Sequence, residues 1–137
     1  MNPIVRNILA IAAGFAAGMA LNMGIIEISP WIIPPPEGAD MLSPEGINAA
    51  MPLLKPEHFL MPFLAHVSGT FAGAFLASLL AATNKMRIAI GFGILNLVGG
   101  VAAATMIPAP TWFIATDLVL AYLPVAYFAG RLNTARG

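Results

Sequence analysis

Residues 88–107 read IAIGFGILNLVGGVAAATMI, twenty consecutive residues without a charge. A helix needs about 20 apolar residues to cross a hydrocarbon core, so this run has the length of one crossing. Lys85 and Arg87 stand immediately before it and Pro108-Ala109-Pro110 immediately after. Upstream, a second apolar run extends from about Phe59 to Thr83, separated from the third only by Asn84-Lys85-Met86-Arg87. Downstream, a fourth extends from Thr111 to Gly130. A first run, from about Ile4 to Ile26, is interrupted only by Arg6, Asn7 and Asn22. Connectors of three or four residues force antiparallel neighbours, because so short a segment cannot cross a bilayer. The expected fold is therefore all-α: one integral membrane four-helix bundle over 1–137, with spans 4–26, 59–83, 88–107 and 111–130. A loop of about 32 residues, 27–58, joins the first two.

Charge sets the orientation. If the spans alternate, Arg6, Lys85, Arg87, Arg131 and Arg136 fall on one side. Lys55 falls on the other, beside Glu27, Glu37, Asp40, Glu45 and Glu57. Basic residues flanking spans stay cytoplasmic, so both termini are expected inside and the long acidic loop outside. Trp31 and Trp112 then lie at the outer boundary, where indole rings prefer to sit. The rival for the first run is a secretory signal, with Arg6 as its basic region and Ala17-Gly18-Met19-Ala20 before a cut. A retained span is the expectation.

The composition narrows the function classes. Of 137 residues, 59% are apolar and 9% charged, against roughly 25% charged in a soluble domain; the mean hydropathy is +0.86. The net charge is zero, which leaves no footprint for nucleic acid. With no cysteine, thiol catalysis and cysteine-held metals are excluded. No HExxH, GxSxG or nucleotide-binding glycine pattern occurs, so no enzyme activity, catalytic residue, metal or cofactor is expected. Glu27, Glu57 and His58 gather with His66 toward the outer side. However, His58 and His66 are eight apart, about 80° round a helix, a poor geometry for one ion; solvated residues of a helix start are the plainer reading of Glu57 and His58, and Glu27 with Trp31 reads as an interface residue. A haem would need a facing axial ligand that this chain barely offers.

The outer loop has local order of its own. Pro34-Pro35-Pro36 is stiff and extended. Ser43-Pro44-Glu45 has the chemistry of a helix start: a hydroxyl cap, a proline at the first position and an acid in the first turn. A short helix to about Met51 is expected, with Ile47, Ala50, Met51 and Leu54 turned to the membrane. Pro62 and Pro124 are each expected to kink a span by removing a backbone donor.

Membrane helices associate through small residues that let backbones approach. Gly14 and Gly18 form such a stripe with Ala10, and Gly69 and Gly73 another with Ala77. The third span has Gly93 and Gly100 on one side and Gly91, Gly99 and Ala103 on another. Ordinary helix packing is the plainer reading of all of them; what they do is mark interior faces. Polar residues share those faces: Asn22 is four after Gly18, His66 three before Gly69, and Asn96 three after Gly93. Asp117 lies on the stripe Asp117, Ala121, Pro124, Phe128. Counted from the outer end of each span, Asn22, His66 and Asp117 sit roughly 6 to 10 Å deep at 1.5 Å per residue. Asn96 is deeper, and Ser68, Thr70 and Thr116 are near the same zone.

An ionised carboxylate in hydrocarbon costs at least about 2.5 kcal/mol, so Asp117 needs a partner, a proton or water. Two uses follow. The first is structural: Asn, His and Asp hydrogen-bonding across helices in a small structural or accessory component of a membrane assembly. The alternative is a homo-oligomeric proton-linked transporter, channel or small polar-solute binder. A His–Asp pair in an outward cavity would serve it, since imidazole titrates near neutrality.

Three runs carry a resemblance. They are Ile33-Pro34-Pro35-Pro36-Glu37-Gly38; Lys55-Pro56-Glu57-His58-Phe59 with Ala65-His66 and Gly69-Thr70; and Pro108-Ala109-Pro110-Thr111-Trp112-Phe113 with Asp117-Leu118 and Ala121-Tyr122. Over most of its length the chain resembles a group of small four-helix bacterial inner-membrane proteins with no known activity. The resemblance implies four membrane helices in a bacterial inner membrane and transfers no catalytic residue. Small fluoride channels and multidrug exporters share the size and helix count. The chain lacks their motifs, notably a membrane-embedded glutamate in the first span.

Overall fold

A computed structural model describes residues 1–135, so Arg136, one of the residues used for orientation, lies outside them. The described chain is all-helical, and four of its helical stretches are long and apolar enough to cross a membrane. Helix α1 is Pro3–Ile32, α2 Pro44–Ala50, α3 Leu60–Leu80, α4 Lys85–Met106, α5 Thr111–Leu120 and α6 Leu123–Thr134. Short 3-10 turns at Met51–Leu53 and Pro56–Phe59 lie between α2 and α3.

Local chemistry explains the boundaries. The Asn2 side chain accepts from the Ile4 amide at 2.8 Å, and Pro3 opens α1. The helix then continues six residues past the expected end of the span, through Glu27 and Trp31 to Ile32. What stops it is Pro34, which holds Ile33 extended at φ −127° and ψ 91°. Thirty residues at 1.5 Å make about 45 Å, longer than a hydrocarbon core of about 30 Å. Gly38, at φ 77°, completes the turn in which the Ala39 amide donates to the Pro36 carbonyl, a conformation glycine adopts without strain. Ser43 caps α2 by accepting from the Gly46 amide at 3.0 Å. The Ser43 hydroxyl, and then the Leu42 amide, donate to Asp40 and hold its carboxyl below the ordinary value.

The two prolines expected to kink spans act differently, and Pro30 lies within the last turn of the continuous α1. Pro62 stands in the first turn of α3, where the donor it lacks would have no intrahelical partner. The irregular step there is the change from 3-10 to α at Leu60, at the helix start. Pro124 instead sits at the second position of α6, and the fourth long helix is interrupted at Ala121-Tyr122 just before it. A continuous helix would require the absent amide of Pro124 to bond the Leu120 carbonyl.

The turn between α3 and α4 also starts earlier than the apolar run suggests, at Ala81. Asn7 of α1 holds it: the Asn7 Oδ1 accepts from the Ala82 amide at 2.8 Å, and its Nδ2 donates to the Thr83 hydroxyl at 3.1 Å. Asn84 then takes a left-handed φ of 55° to enter α4.

Packing is antiparallel between α1 and α3 and between α4 and α6. A methyl group placed on Gly14 would lie 2.5 Å from the Gly73 carbonyl oxygen, and one on Gly18 would lie 2.6 Å from that of Gly69. The two small-residue stripes therefore bring backbone against backbone. Helices α3, α4 and α6 form the core, with Ala74, Ala77, Ala89, Phe92, Ala126 and Ala129 at its centre. Helix α1 leans on α3 and barely meets α4. The buried residues are mostly alanine and glycine, whereas Ile8, Phe15, Val98, Val119 and Phe128 are exposed. That is the reverse of a water-soluble bundle.

Candidate functional site

The polar groups with most chemistry meet where α3 faces the break between α5 and α6. His66 lies nearly two turns into α3 and Asp117 one turn before the end of α5. The His66 Nδ1 and the Asp117 Oδ1 are 2.7 Å apart. Tyr122, in the break itself, donates its hydroxyl to the Asp117 Oδ2 at 2.8 Å. Asp117 is only 5% exposed. An ionised carboxylate only accepts: a proton on His66 Nδ1 supplies one bond, the tyrosine hydroxyl the other, and each oxygen has its donor.

The break makes this arrangement possible. In a continuous helix residue 122 would stand about 140° round from residue 117 and could not reach it. Tyr122 adopts φ −115° and ψ −78°, which folds its ring back over Asp117 and beside His66, with the two ring centres 6.0 Å apart. Gly100 of α4 leaves the space for that ring: a methyl there would meet the Tyr122 hydroxyl at 2.7 Å. Gly93 gives similar room to Ala126, at 2.5 Å.

The other candidates separate. Asn96 of α4 donates to the Thr70 hydroxyl at 3.2 Å, one turn of α3 from His66, and Thr70 is fully buried. Asn22 packs its Cβ near Gly69 but makes no hydrogen bond to His66, Asn96 or Asp117 among the described residues. Ser68 lies on an open apolar groove of about 600 Å³ with Phe71, Pro124 and Phe128. Thr116 donates to the Trp112 carbonyl of its own helix at 2.7 Å. Glu27 and Glu57 are exposed. His58 fastens the outer loop: its Nδ1 accepts from the Lys55 amide at 2.8 Å, and its Nε2 faces the Pro34 carbonyl at 3.2 Å. Among the described residues no three His, Cys, Asp or Glu side chains come together as a metal site.

Two buried polar contacts were not anticipated from sequence. Tyr122 is one. The other is Asn133, 2% exposed, near the opposite end of the bundle: its Nδ2 donates to the Phe75 carbonyl and to the Ser78 hydroxyl, each at 2.8 Å. Its Oδ1 is buried without a partner. A signal for Asn133 exists in its spacing, since it stands seven residues after Ala126 and shares that buried face. It falls beyond the expected end of the fourth span.

The chain matches no family model, no curated protein and no solved structure.

Proposed function

We propose that the chain is a multi-pass protein of a bacterial inner membrane, with both ends cytoplasmic, that serves as a small structural or accessory component of a membrane assembly. The observation that carries the reading is the state of Asp117. Its carboxyl is buried, with one oxygen 2.7 Å from the Nδ1 of His66 on α3 and the other accepting from the Tyr122 hydroxyl in the helix break. A site that binds or passes a solute presents its charge to it; this carboxyl is 5% exposed and each of its oxygens is engaged by a side chain of the protein itself. The exposed apolar side chains suit lipid, a second copy or a larger assembly as surroundings.

The orientation rests on how the charges sort. Arg6 donates to the Leu80 carbonyl, Lys85 and Arg87 open α4, and Gly130 beside Arg131 packs on Met86 and Ala89. These four basic residues thus gather at one end of the bundle, and Glu27 and Glu57, with Lys55, stand at the other. The absence of cysteine makes the test simple. In intact cells a membrane-impermeant maleimide labels Leu42→Cys, whereas Ala135→Cys reacts only after permeabilisation; the reverse pattern contradicts the orientation.

A second reading has one observation in its favour. The His66 side chain is 30% exposed while bonded to Asp117, so a proton taken at the imidazole could be shared with the acid. The two readings part in one experiment. The accessory reading expects the protein to run in mild detergent as part of a larger species from native membranes, and proteoliposomes to show no proton flux sensitive to His66→Ala. A monodisperse protein with a His66-dependent flux would replace it with the proton-linked reading.

A further inference from the structure

Helices α1 and α4 both lean on α3 but scarcely touch each other. Between them, at the basic end of the bundle, an open groove of about 480 Å³ remains. Its mouth carries Asn7, Asn84 and Arg87, and its floor and walls include Ile11, Gly91 and Leu95. From Arg87 to Leu95 the groove follows α4 for about 12 Å at 1.5 Å per residue. Polar groups at one end and an apolar trough behind them are the two halves of an amphiphile's binding site. We propose that this groove binds one anionic phospholipid, with its phosphate on Arg87 and an acyl chain along Ile11, Gly91 and Leu95.

Charge identifies the occupant. Among the described residues Arg87 makes no ion pair, and the one carboxylate–cation contact is His66 with Asp117. The carboxylates are elsewhere: Glu27, Glu37, Asp40, Glu45 and Glu57 belong to the far end, and Asp117 is closed in by His66 and Tyr122. Arg6, Lys85, Arg87 and Arg131 are therefore uncompensated within the described protein. A second copy in the same orientation would bring another basic end against this one, which like-charge repulsion opposes. A phosphate diester supplies the opposite charge and accepts the paired donors of a guanidinium. Gly91 makes the trough: a Cβ built on it meets nothing within 4 Å, so any larger residue would stand in the lipid's place without disturbing the fold.

The inference rests on the membrane reading, and the test separates the two. The full chain is reconstituted in phosphatidylcholine nanodiscs, and spin-labelled phosphatidylglycerol or phosphatidylcholine with matched chains is added as the probe. Failure to reconstitute as folded helix defeats the membrane reading itself. In reconstituted protein, phosphatidylglycerol is expected to be held about fivefold more tightly, the scale of one basic residue near an anionic surface. Arg87→Gln should bring that ratio close to one, and Gly91→Leu should lower the immobilised fraction of both lipids. Arg131→Gln, at the same end but outside the groove, should leave the ratio as in wild type. Equal retention of the two lipids overturns the proposal. So does an Arg131→Gln loss matching that of Arg87→Gln, which would be diffuse surface charge, or a change of oligomeric mass in Gly91→Leu, which would assign the groove to a second copy.

Discussion

Two of the seams between the long helices, both on α3, are built on different principles. Where α1 meets α3, Gly14 and Gly18 face Gly73 and Gly69, and carbonyl oxygens lie where side chains would otherwise stand. Where α3 meets the broken fourth stretch, the fastening is a carboxylate between an imidazole and a phenol. The first seam works by closeness, many small contacts over a smooth face. The second works by a few directional bonds, needed because the break at Ala121-Tyr122 removes a straight helix to lay against α3. In the bilayer that we propose, neither seam gains from expelling water, so shape and hydrogen bonding are what remain. A smooth seam is vulnerable to added volume, and a bonded one to lost partners.

That contrast can be broken from either side. The largest effect is expected from Gly14→Leu, whose Cβ alone would sit 2.5 Å from the Gly73 carbonyl oxygen and 2.7 Å from the Ala77 Cβ. Both obstacles are rigid, so a loss of about 3 kcal/mol is expected, read as reversible unfolding in bicelles, with α1 becoming protease-sensitive first. Asp117→Ala should come next, at about 2 kcal/mol, because it strands the buried Tyr122 hydroxyl and takes the partner from the His66 nitrogen. Asn133→Ala removes two bonds but also a buried oxygen that has no partner, so about 1 kcal/mol is expected in the same assay. Least of all, Gly99→Ala should change stability by under about 0.5 kcal/mol, since nothing lies within 4 Å of its Cβ. A Gly99→Ala loss as large as that of Gly14→Leu would mean that glycines act here through the backbone rather than through contact.

Much of the fold was legible because it follows from length and charge. Twenty uncharged residues between a Lys/Arg pair and a Pro-Ala-Pro turn leave little choice for 88–107. The end of α1 was less legible. The span is counted only as far as the acid that follows it, Glu27, whereas the backbone stays helical until the prolines after Ile33 forbid it. His66 and Asp117 were readable as neighbours from shared depth and shared small-residue faces. Tyr122 was not, because helical periodicity points it away from Asp117 and only the interruption before Pro124 turns it back. Asn22 has the expected depth and face, yet spacing does not set which side chain it meets, and it lies against Gly69. Likewise Gly93 and Gly100 pack on Ala126 and Tyr122, while Gly91 and Gly99 of the same helix face open space. Sequence periodicity separates those two faces without saying which is covered.

The central claim is that Asp117 joins α3 to the broken stretch by bonding His66, and a double-mutant cycle on that pair tests it most directly. Unfolding free energies of wild type, His66→Ala, Asp117→Ala and the double variant in bicelles give the coupling. The account predicts a coupling of about 1 kcal/mol, inside the ceiling of about 1.7 found for hydrogen bonds between membrane helices. A coupling within about 0.3 kcal/mol of zero would show the two residues acting independently, and the clamp would have to be given up.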